Sequence, residues 1–481
     1  PDVRRFRLLE FPCLDQSVGN GQWVGSMNFY RFYRALFRVA IHVFFSRIEV
    51  EGTDRIPETG AVLLVPNHSN ALVDGMVVAS TLNRPLVMTA KTALAGNRVL
   101  GFMMRTGNVV TLQRRQDIDQ ASEGDANTAA FQQIRVRLEQ KMAVCLFPEG
   151  KSHSDPGIRE FKTGAARIAF DYLEHNPDGG SLKLVPVGLY YRRKSTFRSN
   201  AWIGFGEQLD VRQWQQANPD AGVRELTGLL ENRVRQMTLD FKDAGQRDLF
   251  RNAADLLATG GAPPSELGLR PAPRLAEQVR LVKVLKSGSE RMHGTESDRL
   301  QLLEQRIQNL FTELERRGVA PHETFLEMHT GRAAFFILRE LELVLLGLPM
   351  ALWGVLNNFP AYLAARALTR KLSHEDDQVA TNAIFSGIIS FPLFYFLQVL
   401  LASTLLGPGW LLLYALSVPW CGAYAVAWLD RIRGTSRRSR TWYLWHAKPE
   451  LQQSLTDEAR GIISEILHLG EQLEEDHGIR T

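Results

Sequence analysis

Between residues 61 and 191 the chain alternates short apolar runs with amphipathic stretches. The first run, AVLLV (residues 61–65), has the length of a buried parallel strand, and Pro66 ends it. RPLVMTAKTAL holds a second strand that leads to Lys91, and NVVTL a third that delivers Arg114 and Arg115. The helical stretch AFQQIRVRLEQK separates these from the strand that opens AVCLFPEGKSHSD. The helix FKTGAARIAFDYLEH and the strand SLKLVPVGLYY follow. Strands alternating with helices predict an α/β fold, a mostly parallel sheet flanked by helices. Polar residues collect at the C-terminal strand ends: His68, then Arg114 and Arg115, then Glu149, Gly150 and Lys151. In a parallel sheet those ends share one side, so these residues can converge on a crevice where open α/β folds place their sites.

Outside this block the pattern changes. Residues 28–46, NFYRFYRALFRVAIHVFFS, put Arg31, Arg34 and Arg38 at helical spacing, opposite Phe, Leu, Val and Ile. With so many aromatics, this predicts a helix lying in a membrane interface, with an amphipathic helix docked on the domain core as the alternative. Residues 223–318 read as charged helices, broken at 253–264 and at GLRPAPR. Within them Leu300, Leu303, Ile307, Leu310 and Leu314 recur at three–four spacing over barely two heptads, which predicts a packed helical hairpin and not a coiled coil.

Residues 343–365 are uncharged but interrupted by Pro349, Asn357, Asn358 and Pro360, which predicts a re-entrant or interfacial helix, with a full crossing as the alternative. From Gln378 to Leu429 there is no Asp, Glu, Lys, Arg or His. That length accommodates two membrane crossings, 384–406 and 410–429, around the turn Gly407-Pro408-Gly409. TRKLSHEDD precedes the pair and RIRGTSRRSR follows it, so a two-pass hairpin with both ends in the cytoplasm is expected, its second flank on anionic lipid. The stretch ELQQSLTDEARGIISEILHLGEQL reads as a soluble amphipathic helix. The expected organisation is an interfacial helix region (1–49), an α/β domain (50–222), a helical region (223–340), membrane segments (341–430), and a basic flank with the last helix (431–481).

Composition narrows this little. The net charge of +4 is mild, and no basic domain interleaved with aromatics supports a nucleic-acid partner. Cys13, Cys145 and Cys421 are scattered, with neither metal-ligand spacing nor a framework of bridges, so a reducing compartment is expected. PDVRRFRLLE lacks an apolar signal core, and no secretory leader is expected.

The chemistry rests on His68 and Asp74. Six residues apart on one helix they would diverge by about 120°. They meet only if His68 sits on the loop and Asp74 reaches back from the first turn of the next helix. The carboxylate then fixes the imidazole tautomer, and the other ring nitrogen can take a proton. There is no G-x-S-x-G, which disfavours an α/β-hydrolase triad. Lys151 to Asp155 hold a Ser, a His and an Asp, but near neighbours in sequence do not assemble a triad. A His–Asp pair without a nucleophile predicts a substrate that brings its own hydroxyl, deprotonated by His68 for attack on a thioester. Helix N-terminal amides would stabilise the oxyanion. Lys91, Arg114, Arg115 and Lys151 suit a phosphate on the acceptor. No glycine-rich nucleotide loop and no metal constellation is present in the pattern.

PNHSNALVDG, then GNVVTLQR, then LFPEGKSHSD with FKTGAARIA, then LVPVGLYY resemble the four ordered blocks of the glycerophospholipid acyltransferase family, over roughly residues 50–206. The resemblance implies an enzyme of phospholipid biosynthesis, embedded in the membrane with a cytoplasmic catalytic domain (in the inner membrane if bacterial). It implies acyl-CoA or acyl-carrier protein as donor, with no further cofactor, and glycerol-3-phosphate or 1-acylglycerol-3-phosphate as acceptor. The family's catalytic His and Asp fall on His68 and Asp74, its phosphate-contacting Arg on Arg114 or, second, Arg115, and its Glu-Gly on Glu149 and Gly150. Lys91 resembles a family lysine between the first two blocks. Two features depart from the usual pattern: five residues, not four, separate His68 from Asp74, and Lys-Ser-His follows Glu-Gly in place of Thr-Arg-Ser. Both resemble the fungal branch that acylates glycerol-3-phosphate and dihydroxyacetone phosphate. Lys151 would then bring charge without the arginine fork. The rival readings are a lysophospholipid-remodelling acyltransferase, an acyl thioesterase and a non-catalytic lipid-binding scaffold.

Overall fold

A computed structural model describes residues 4–5, 24–96, 98–113, 127–178, 180–261, 272–292, 297–326 and 330–476. Its first part runs β1 (Arg4–Arg5), α1 (Val24–Phe44), β2 (Phe45–Glu51), β3 (Val62–Pro66), α2 (Ala71–Thr81), β4 (Leu86–Lys91), α3 (Arg98–Thr106), β5 (Val109–Leu112), α4 (Thr128–Glu139), β6 (Ala143–Cys145), α5 (Gly164–His175), β7 (Lys183–Tyr191), β8 (Ser199–Phe205), β9 (Leu209–Asp210), α6 (Val211–Ala217) and α7 (Val223–Met237). Only helices follow: α8 (Ala244–Gly261), α9 (Leu275–Met292), α10 (Ser297–Arg317), α11 (Thr330–Leu372), α12 (Asp376–Ser403), α13 (Pro408–Ala447) and α14 (Pro449–Asp476).

The strands form one sheet in the order β1-β2-β8-β7-β3-β6-β4-β5, with β9 on the edge of β7. From β7 to β5 every pairing is parallel, as is β2 with β8; β7–β8, β7–β9 and β1–β2 are antiparallel. The expected α/β fold with a mostly parallel sheet is therefore observed. All five residues of β3 are buried, because helices cover both sheet faces and leave no solvent side for a polar alternation. Leu63 and Val65 pack with Ile134 and Leu138 of α4, Ile168 of α5, and Leu226, Leu230 and Val234 of α7. Each such side chain contributes about 1.5–3 kcal/mol by leaving water.

Two compact units divide the chain: residues 1–242 with 371–384, and residues 243–370 with 385–481. The expected boundaries are drawn differently. The one at 49/50 falls inside β2, whose parallel pairing with β8 makes it a sheet strand. The one at 222/223 is displaced to 242/243, because the apolar face of α7 completes the core of the sheet. Those at 340/341 and 430/431 fall inside the unbroken helices α11 and α13.

In α1 the arginines do not share a wet face. Arg38 is 4% exposed, and Arg34 Nη2 donates to the Leu82 carbonyl. Phe29, Phe32, Val39 and Val43 face outward instead. The inward face thus takes up Arg38 and binds the Arg34 guanidinium through a backbone carbonyl, which leaves an apolar stripe on the surface.

In the second unit Leu300, Leu303, Ile307, Leu310 and Leu314 of α10 form a core with Leu249 and Leu256 of α8 and Leu455, Ile462 and Leu469 of α14. The structure thus buries the leucine stripe in a helical cluster. Arg306 bridges α10 to Glu458 at 2.8 Å and Glu465 at 2.6 Å. The basic stretch after the apolar run is also partly engaged within the protein. Arg431 pairs with Glu340 at 2.8 Å, Arg437 with the buried Glu323 at 2.9 Å, and Arg440 reaches the Gly318 carbonyl at 3.3 Å.

α11 is continuous through Pro349 and Pro360. Its polar residues turn inward. Asn358 Nδ2 donates to the Gly354 and Val418 carbonyls at 2.8 and 3.2 Å, and Asn357 Oδ1 accepts from Tyr414 at 2.9 Å. Gly354 has no room for a Cβ against the Cys421 carbonyl, so α11 and α13 approach backbone to backbone. Helices α12 and α13, which contain the expected crossings, are long and apolar enough to span a membrane, and most of that apolar surface is exposed.

Candidate active site

β3 ends at Pro66, which has no backbone N–H to give the ladder to β7. Asn67 replaces it: its side chain accepts from Leu189 N at 2.7 Å and donates to Leu189 O at 3.1 Å. The next residue, His68, is thereby held at the C-terminal end of the central strand. Ala71 takes φ +42°, a left-handed turn that starts α2 and brings Asp74 back over the loop.

His68 Nδ1 lies 2.9 Å from Asp74 Oδ2, the loop-to-helix reach that the spacing required. Asp74 is 0% exposed. Its carboxylate also accepts from Ser69 N at 2.8 Å, Asn70 N at 2.7 Å and the Tyr191 hydroxyl at 2.6 Å. A buried carboxylate requires such donors. The amides of Ser69 and Asn70 therefore serve Asp74 and not an oxyanion. Burial, with the charge of Asp74 added, pushes the Tyr191 phenol well above its ordinary range, so it remains a donor. Among the described residues His68 Nε2 makes no hydrogen bond, and its ring stacks on Phe147 at 4.1 Å between centroids and 23° between planes.

Glu149 is buried and points inward. Oε1 accepts from the His68 amide at 2.6 Å; Oε2 accepts from Arg159 N at 2.9 Å and from His153 Nε2 at 2.5 Å. The Asp155 amide donates to His153 Nδ1 at 3.2 Å, which assigns the ring proton to Nε2. The His153 amide donates to the His68 carbonyl at 3.3 Å, so both main-chain groups of His68 are anchored by one loop. Lys194 ties that loop to the first: Nζ donates to Ser69 O at 2.9 Å, His153 O at 3.1 Å and Ser154 Oγ at 3.0 Å. Gly150 turns the chain with φ +73°. Lys151, half-exposed, lies 3.7 Å from Glu375.

The structure thus brings together His68, Asp74 and Glu149, with Gly150 and Lys151 next in the chain after Glu149 and Lys151 turned to Glu375. Lys91 ends β4, a parallel neighbour of β6, and its side chain is half-buried. Arg114 and Arg115 lie outside the described residues; Leu112, at the end of β5, and Gln113 precede them. Asn67, Phe147, His153, Tyr191 and Lys194 were not singled out by the sequence as parts of a site. Tyr191 had a signal, since it closes a strand whose C-terminal end lies beside that of β3; Lys194, on a loop, had none. Among the described residues no three His, Cys, Asp or Glu are grouped to hold a metal ion. Cys145 is a buried free thiol whose pKa is pushed up by burial, so it is no ready nucleophile.

Residues 47–190 match the acyltransferase family model. An uncharacterised acyltransferase of Schizosaccharomyces pombe is 23% identical over 258 residues, 37% of this chain and 38% of that protein. Glycerol-3-phosphate O-acyltransferase 2 of Saccharomyces cerevisiae is 36% identical over 85 residues, 18% of this chain and 11% of that protein. A 1-acyl-sn-glycerol-3-phosphate acyltransferase of Borreliella burgdorferi is 26% identical over 157 residues, 33% of this chain and 56% of that protein. Each match spans less than two thirds of the relative's own length. The strand-end pair of His68 and Asp74, the Glu149 loop and these matches fall on the same stretch, and residues 47–190 are the part of the chain that matches the acyltransferase family.

Proposed function

We propose that the protein is a membrane-bound O-acyltransferase that moves a fatty acyl group from acyl-CoA or acyl-carrier protein to a hydroxyl of a glycerol-phosphate acceptor. The observation that carries this reading is the His68 Nδ1 contact to Asp74 at 2.9 Å, with Nε2 making no hydrogen bond among the described residues. With Nδ1–H donated to Asp74, Nε2 holds the lone pair. It takes the proton of the acceptor hydroxyl as that oxygen attacks the thioester carbonyl. The tetrahedral intermediate collapses, the C–S bond breaks, and the imidazolium returns the proton to the leaving thiolate. No acyl-enzyme forms.

Arg114, Arg115, Lys91 and Lys151 are proposed to steady the acceptor phosphate, with Arg114 first. The acceptor assigned first is glycerol-3-phosphate, supported by the local similarity to the yeast enzyme and by the five-residue His68–Asp74 spacing. 1-Acylglycerol-3-phosphate is the second. The exposed apolar flanks of α12 and α13 support two crossings, the basic residues before and after the pair favour both ends in the cytoplasm, and the outward stripe of α1 supports contact with the interface where acyl chains reside.

The test is acyl transfer by purified protein from radiolabelled acyl-CoA, with glycerol-3-phosphate and 1-acylglycerol-3-phosphate offered separately beside His68→Ala. Label in lysophosphatidate is expected. Label in phosphatidate alone moves the enzyme to the second acylation, and free fatty acid released without any acceptor makes it a thioesterase. Full activity in His68→Ala sinks the mechanism.

A further inference from the structure

Residues 371–384 pack with the first unit, although the chain on both sides belongs to the second. The opening turns of α12 bury Asp377, Ala380, Thr381 and Ile384, one face of a helix. Asp377 is 2% exposed, and its Oδ2 accepts from Ser152 Oγ at 2.5 Å, across 225 residues of chain. A buried carboxylate in a first helical turn is favoured by the amides there. Burial lowers the pKa of Lys194, and Asp377 is the leading carboxylate that opposes this.

From Ser152 the contacts run straight to His68. Ser152 precedes His153, whose amide holds His68 O at 3.3 Å and whose ring holds Glu149 at 2.5 Å. Glu149 in turn holds His68 N at 2.6 Å. Asp377 and Lys194 both lie outside the 47–190 match, so the family segment does not contain all that fixes its own loop.

We propose that Asp377 is a positioning residue for the reaction centre: by holding Ser152 it sets the loop from which Glu149 and His153 fix the main chain of His68. A helix long and apolar enough to cross a membrane is thereby connected to the proposed base. The inference rests on the acyl-transfer reading above. It predicts that the C-terminal region governs turnover and not merely attachment to a membrane.

Full-length protein is assayed with acyl-CoA and glycerol-3-phosphate or 1-acylglycerol-3-phosphate, for wild type, Ser152→Ala, Asp377→Ala, their double variant, Asp376→Ala and His68→Ala. Ser152→Ala and Asp377→Ala each lower kcat by about tenfold, the scale of one lost charge-assisted hydrogen bond, with the acceptor KM unchanged within about twofold. The double variant falls no further than either single one, since both remove the same contact. Asp376→Ala, which removes an exposed carboxylate one residue away, keeps wild-type kcat. Wild-type kcat in the single variants, multiplied losses in the double, or an equal loss in Asp376→Ala overturns the proposal. Should Asp377→Ala fail to fold, Ser152→Ala decides alone by the same criterion. A wild type that acylates neither acceptor, or a fully active His68→Ala, overturns the acyl-transfer reading and this inference with it.

Discussion

The main-chain amide of His68 donates to Glu149 Oε1 at 2.6 Å, across 81 residues of chain. The carboxylate is buried and accepts two further bonds from within the protein, so its first task is to hold backbone. Glu149→Gln keeps the shape but presents an NH2 to at least one of three donors. A loss of about 1–3 kcal/mol in stability is expected, with kcat lower by roughly tenfold or more and acceptor KM little changed. Chemical unfolding and steady-state kinetics check this; a raised KM with intact kcat would show a substrate contact instead.

Tyr191 is the other support of the pair. Its hydroxyl donates to Asp74 Oδ1 at 2.6 Å in a fully buried setting. Tyr191→Phe leaves that oxygen without its hydroxyl donor and costs about 1–3 kcal/mol. Turnover falls several-fold as the carboxylate loses its fourth restraint, but not to the level of His68→Ala. Equal activity and equal melting temperature in Tyr191→Phe and wild type would refute this.

Lys194 gives a pH dependence of definite sign. Burial favours the neutral amine and lowers its pKa below 10.5, while Asp377, Asp74, Asp376 and Asp155 oppose the shift without cancelling it. As pH rises through the lowered value, one of three Nζ protons is lost, and with it one bond to Ser69 O, His153 O or Ser154 Oγ. The unfolded chain keeps its proton up to the ordinary value, so in this window the unfolded state binds more protons and stability rises with pH. Activity moves the other way: kcat falls on an alkaline limb that begins below 10.5. Lys194→Arg, which stays charged, shifts that limb upward. A pH–kcat profile identical to wild type in Lys194→Arg would exclude Lys194 as its origin.

In the second unit the close approach of α11 to α13 rests on Gly354, whose missing Cβ makes room for the Cys421 carbonyl. Gly354→Ala forces the two backbones apart and is expected to cost about 1–3 kcal/mol. Thermal unfolding in detergent measures it, with Gly387→Ala, where a Cβ meets nothing, as the comparison.

The alternation of strand and helix, the buried five-residue β3 and the reach from Asp74 to His68 were legible in the sequence, because each depends on a short local pattern. Strand length, a terminating proline and the rise of a helix are properties of neighbours in the chain. The sequence also marked the apolar parts of α12 and α13, by the absence of charge from Gln378 to Leu429. Partners of buried polar groups were not legible. Nothing near Glu149 in sequence says that its carboxylate faces His68 N, nothing near Arg38 says that it turns inward, and nothing near Ser152 names Asp377 as its acceptor. Periodicity reports which face of an element is apolar, whereas a buried donor or acceptor is satisfied by whatever the fold brings within hydrogen-bond distance. The sequence by itself determined the sheet and the His68–Asp74 pair at the end of its central strand; only the tertiary structure decided what else holds that pair still, since Glu149, Tyr191 and Asp377 reach their partners across 81, 117 and 225 residues of chain.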